Sequence, residues 1–193
     1  MGTNRMEAFS DGVLAIIITI MVLELKVPLR GDFAALRPLW PVFASYALSF
    51  VYIGIYWNNH HHLLHITNRV SGAIMWANLH LLFWLSLVPF TTSWMGEFHV
   101  ANVPTAVYGC VLLMAGVAYW ILIRTIIAQQ GHSSVLARAI GSDWKGNLSP
   151  LAYAIAIPAA FVRPWISWGL YVLVAIVWLV PDTRIAHVID DRA

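Results

Sequence analysis

Polar and apolar positions divide this chain into six long apolar runs, at about 4–27, 41–65, 70–94, 103–127, 148–162 and 165–180. A membrane-spanning helix needs roughly 20 predominantly apolar residues, and most of these runs reach that length. The breaks between them carry proline, glycine or charge: Pro28 to Pro41 with Gly31, Gly96 to Pro104, Gln129 to Gly146, and Arg163-Pro164. Pro150 and Pro158 shorten the fifth run and predict a kinked helix there. The pattern predicts an all-α integral membrane protein, a single six-helix domain over residues 1–193 with no internal repeat.

Composition agrees with the pattern. Of the 193 residues 60% are apolar and 10% charged, where soluble domains carry about 25% charged residues. The ten tryptophans suit interfacial aromatic belts. A formal charge of +2, spread along the chain, offers no footprint for nucleic acid. Cys110 is the single cysteine, so no disulfide framework exists. Residues 1–11 are polar without a cleavage-site pattern, so the first run is expected to stay as a helix. With six spans, Arg5, Arg69, Arg124, Arg138, Lys145, Arg184 and Arg192 fall on one side; Lys26, Arg30, Arg37 and Arg163 fall on the other. The excess predicts that both termini are cytoplasmic.

The first run holds the most informative residues. Thr3 or Asn4 is placed to cap this helix, with Glu7 in capping-box spacing. At 100° per residue, Gly12, Ile16, Thr19, Ile20, Leu23 and Val27 share a stripe that Phe9 and Arg5 extend. Asp11 points away from it. A carboxylate at membrane depth is expensive and marks a functional site unless a neighbouring helix clasps it; for Asp11 both readings stay open. On periodicity alone the stripe reads as ordinary helix packing against lipid or protein, with a pore lining as the alternative.

On the second run, Ser45, Ser49, Tyr52, Tyr56, Asn59 and His60 recur at helical spacing. Lipid cannot satisfy such a face, so it is expected to turn inward and, with Asn78 and His80 of the third run, to meet Ser10 and Asp11. His60, His61, His62 and His65 include the i, i+4 pair found in helical zinc sites, but no acidic or cysteine ligand stands nearby in the sequence. We expect no resident metal there; a response to pH through these histidines is the stronger reading.

The segment Arg5-x-x-x-Phe9-Ser10-Asp11, running into Gly12-Val13-Leu14-Ala15-Ile16-Ile17-Ile18-Thr19, resembles the first-helix signature of the transmembrane protein 175 family of potassium channels. Ile53-Gly54-Ile55-Tyr56-Trp57-Asn58-Asn59-His60-His61, and Asn78-Leu79 with Phe83 and Pro89, resemble its second and third helices. The layout matches over the whole chain, while the specific motifs lie in the first half. The resemblance implies a potassium-favouring cation channel of the cell membrane, assembled as a homotetramer with the first helix (about 4–27) lining the pore. It places a constriction at Ile16, with Ile20, Leu23 and Thr19 beside it, and no resident cofactor beyond permeant K+ and other monovalent cations. No Thr-Val-Gly-Tyr-Gly carbonyl filter occurs. An ion-coupled secondary transporter of a small cation is the alternative. An intramembrane enzyme built on Ser10, Asp11 and His60 lacks any sign of an oxyanion hole.

Overall fold

The computed structural model describes residues 2–67, 69–131 and 144–179. Arg138, Arg184 and Arg192, on which part of the orientation argument rests, lie outside them.

Among the described residues seven α-helices follow in chain order: α1 (Thr3–Leu23), α2 (Trp40–His65), α3 (Gly72–Ser86), α4 (Val88–Glu97), α5 (Asn102–Gln130), α6 (Trp144–Val162) and α7 (Pro164–Leu179). A 3₁₀ helix, Phe33–Leu39, precedes α2, its first turn capped by the Asp32 carboxylate, which accepts from the Ala35 N–H at 2.9 Å. There is no strand among the described residues. By length and hydropathy α1, the 3₁₀–α2 run, the α3–α4 run and α5 can each cross a membrane; the apolar stretches of α6 and α7 are shorter.

Three boundaries differ from the sequence expectation. The third run is two helices, because Pro89 brings no N–H to the ladder and crowds the turn before it, so the chain restarts at Val88. The first helix stops at Leu23, four residues early; Pro28 disfavours helix at Val27, which therefore drops off the α1 stripe. No side chain caps α1, whose N-cap is Gly2: Thr3 and Glu7 are used by other elements instead, so the capping box does not form.

Two cores hold the bundle. One gathers Met6, Leu14, Ile17 and Met21 of α1 with Leu63 and Leu64 of α2, Ile74, Leu81 and Leu85 of α3, and Leu122 and Ile126 of α5. The other joins the first half of α2 to α4, α5, α6 and α7 through Leu48, Met95, Leu112, Tyr108, Tyr153 and Tyr171. Helix α5 borders both cores. Helix α1 packs chiefly on α2, α3 and α4.

Candidate ion-conduction site

Spacing decides which face of α1 is hidden. Met6, Ser10, Leu14, Ile17 and Met21 recur every three or four residues and are buried against α2, α3 and α4. The opposite face carries Phe9, Ile16, Thr19, Ile20 and Leu23, all exposed, with Ile16 at 58% and Leu23 at 80%. Among the described residues no element covers these aliphatic side chains. The Thr19 hydroxyl donates to the Ile16 carbonyl at 2.9 Å, which leaves its oxygen lone pairs on the uncovered side. Arg5 is exposed one turn before Phe9.

Beside this face runs a groove of about 650 Å³ between α1 and α4. Ile16 and Ile20 border it together with Pro89, Phe90 and Trp94, and Glu24 and Glu97 stand in its wall. Ser93 donates to Glu24 at 3.3 Å, and Lys26 pairs with Glu97. The Glu97 carboxylate, by hydrogen bond first and by charge second, holds the Lys26 ammonium above its ordinary pKa. The ammonium therefore keeps its charge through neutral pH.

Polar bonds hold the buried face of α1. Asn78 of α3 donates to Ser10 Oγ at 2.9 Å, and its carbonyl oxygen lies 2.7 Å from His60 Nε2 of α2. All three residues are buried. Because the amide oxygen can only accept, Nε2 carries the proton; Nδ1 is buried without a partner. Ser10 in turn donates to the Met6 carbonyl at 2.9 Å. The structure thus joins Ser10, His60 and Asn78 but not the other two expected members. Asp11 accepts from Trp57 Nε1 at 3.1 Å, and His80 accepts from Trp84 Nε1 at 3.0 Å within its own helix. The second-helix motif includes Trp57, but its pairing with Asp11 was not legible in the sequence, because the polar face of α2 runs through Ser, Tyr, Asn and His and an indole reads first as an apolar side chain. The signal available was its place three residues before His60, on neighbouring turns of one helix.

The polar face of α2 also divides. Asn59 bonds its own helix at the Ile55 carbonyl. Ser49 lies 2.6 Å from Thr92 Oγ1 and 2.9 Å from Tyr108 Oη, while Tyr52 donates to the Tyr171 carbonyl at 2.6 Å. These belong to the second core, far along α2 from Ser10. Of the histidines, His61 faces Glu7 of α1, Nδ1 to Oε1 2.8 Å, and its ring stacks on Trp57 and His65. No group of three His, Cys, Asp or Glu side chains placed to hold a metal occurs among the described residues.

Comparison with known proteins places this geometry. Residues 5–89, which carry α1, the Asp11–Trp57 bond and the Ser10–Asn78–His60 chain, match the family model described as endosomal/lysosomal potassium channel TMEM175. A potassium channel of Chryseobacterium sp. strain P1-3 is 54% identical over 192 residues, covering 100% of both chains. One of Streptomyces collinus is 33% identical over 193 residues, covering 90% of each. The crystal structure of a lysosomal potassium-selective channel TMEM175 homologue from Chamaesiphon minutus superposes with a TM-score of 0.81 at 31% identity, over 92% of this chain and 96% of the other. Sequence, fold and the first-helix motif agree: the chain belongs to the TMEM175 family of potassium channels, a family of membrane proteins that are channels and not enzymes.

Proposed function

We propose that the protein is a potassium-selective channel of the cell membrane whose pore is lined by α1 of each subunit of a homotetramer. The observation that carries this reading is the uncovered aliphatic face of a helix whose other face is fixed by buried polar bonds. One α1 cannot enclose a pore, so the lining requires further copies of the chain. Ile16, Ile20 and Leu23 then form successive apolar rings, about 10 Å from first to last at 1.5 Å per residue. The six apolar runs act as six spans with both termini cytoplasmic, and the only ions required are the permeant ones.

An aliphatic ring blocks by dewetting when narrow. Potassium sheds its water at lower cost than sodium, so an apolar passage that strips the hydration shell penalises sodium more. The Thr19 oxygens offer partial replacement ligands one turn beyond Ile16. No carbonyl filter is needed for this discrimination. Members of the family from Chryseobacterium, Streptomyces and Chamaesiphon carry potassium in their names or descriptions, which supports the ion assigned here.

Flux through the purified protein in liposomes, under opposed potassium and sodium gradients, tests the reading. Potassium flux should exceed sodium flux severalfold in the wild type. Ile16→Asn should raise total flux and bring the ratio towards one, because an amide keeps the ring wet. Unchanged selectivity in that variant would remove Ile16 from the filter.

A further inference from the structure

The first two turns of α1 are fastened to α2 and the segment after it by three bonds at a four-residue interval. Thr3 Oγ1 donates to the Thr67 carbonyl at 3.2 Å, Glu7 Oε1 lies 2.8 Å from His61 Nδ1, and Asp11 accepts from Trp57. The interval places Thr3, Glu7 and Asp11 on one edge of α1, and His61 follows Trp57 by one turn of α2. The donors of the outer two rungs, a threonine hydroxyl and an indole, do not titrate near neutral pH. An imidazole does. We propose that Glu7 and His61 form a protonation-dependent latch on α1, through which acidification tightens the attachment of that helix and alters potassium flux.

The charges around the latch permit this. From α1 come the carboxylates Glu7 and Asp11, both within the field of the neighbouring His60. From α2 come His62 and His65, whose rings lie 5.5 and 6.2 Å from that of His61. His80, the titratable side chain of α3, is turned to Trp84. Arg5 and Arg69 are exposed at the same end of the bundle, where Thr3 meets Thr67. His61 and Glu7 are 48% and 25% exposed, so protons reach them from solvent while the pair stays partly shielded. The ion pair exists only while the imidazole is protonated and Glu7 ionised, so protonation of the imidazole is what converts the contact into a pair of opposite charges. With the imidazole neutral, Nδ1–H can still donate to the ionised carboxylate, but the attraction between two full charges is gone.

The effect on flux rests on the pore reading above, since α1 continues from Asp11 into Ile16, about 7.5 Å further along the helix. The attachment does not rest on it, and the two are measured separately. Hydrogen exchange of the backbone amides in residues 3–11, corrected for intrinsic rates, reports the latch at pH 5.5 and pH 8 in the full-length protein in liposomes. Protection should be roughly two- to fivefold higher at pH 5.5, the shift that a partly exposed ion pair supplies. Glu7→Gln and His61→Gln should each abolish that difference, and His62→Gln should leave it intact. Potassium flux measured on the same liposomes should differ between the two pH values by a similar factor in the wild type and not in Glu7→Gln. Equal protection at both pH values in the wild type, or an unchanged difference in Glu7→Gln, would overturn the latch. A protection difference beside a pH-independent flux would overturn its coupling to conduction. Protection that follows pH in a protein conducting at neither value would retain the attachment and reject the pore reading instead.

Discussion

Two residues show how little slack the helix contacts leave. Gly109 of α5 lies directly under the Tyr171 hydroxyl of α7, so any Cβ there would collide with that oxygen and press on Ile157 Cγ1 at 3.1 Å. Tyr171 is wholly buried and donates to the Thr105 carbonyl at 3.0 Å. Gly109→Ala must therefore displace a bonded tyrosine, at a cost of about 2–3 kcal/mol. Gly116→Ala on the same helix meets only Tyr56 Oη at 3.9 Å, an ordinary contact, and should be neutral or slightly stabilising. Thermal unfolding of the two variants in one detergent makes the comparison. Asn78 offers a polar counterpart. Asn78→Ala removes the donor to Ser10, whose hydroxyl keeps only its bond to the Met6 carbonyl, and leaves both nitrogens of buried His60 without a protein partner, since Nδ1 has none already. Interhelical bonds in membranes average about 0.6 kcal/mol, and orphaned buried groups raise the figure, so the expected loss is about 1–3 kcal/mol.

At the scale of the element, α1 has one side bolted and the other side bare. Its bolts should behave as pairs. Removing the indole donor with Trp57→Phe and weakening the acceptor with Asp11→Asn should cost less together than the sum of the two separately. The coupling expected from a double-mutant cycle is about 0.6 kcal/mol and at most about 1.7 kcal/mol; purely additive losses would mean that the bond does not hold α1. The bare side of α1 was legible in the sequence, because a 3.6-residue repeat fixes which side chains share a face once the helix is assumed. So was the meeting of Ser10, Asn78 and His60, since buried amides and imidazoles in an apolar segment must find one another. Other features were not. The restart at Val88 depends on how one proline is accommodated. The use of Thr3 and Glu7 as tethers rather than caps depends on where the α2–α3 connection passes, which is set by tertiary packing.

At the scale of the whole molecule, exposure on α1 bears directly on assembly. Lipid could in principle wet Ile16 and Leu23, since membrane surfaces are apolar throughout, and exposure alone does not separate a pore face from a lipid face. Proximity between copies does. In the proposed tetramer Ile16 faces its own equivalents across the central axis, whereas Trp76, 75% exposed on α3, looks outward from the bundle. Leu14, two residues from Ile16, is buried inside the subunit. The native thiol of Cys110 is free and exposed, so cysteine probes need a Cys110→Ala background. On it, Ile16→Cys should oxidise readily to a disulfide-linked dimer within the tetramer, while Leu14→Cys and Trp76→Cys should remain monomeric on a denaturing gel. Potassium flux through the Ile16→Cys protein should fall on oxidation and return on reduction, because the bond would lie across the ion path. A dimer band from Trp76→Cys with none from Ile16→Cys would turn the subunits the other way round, with α1 towards lipid and the pore elsewhere.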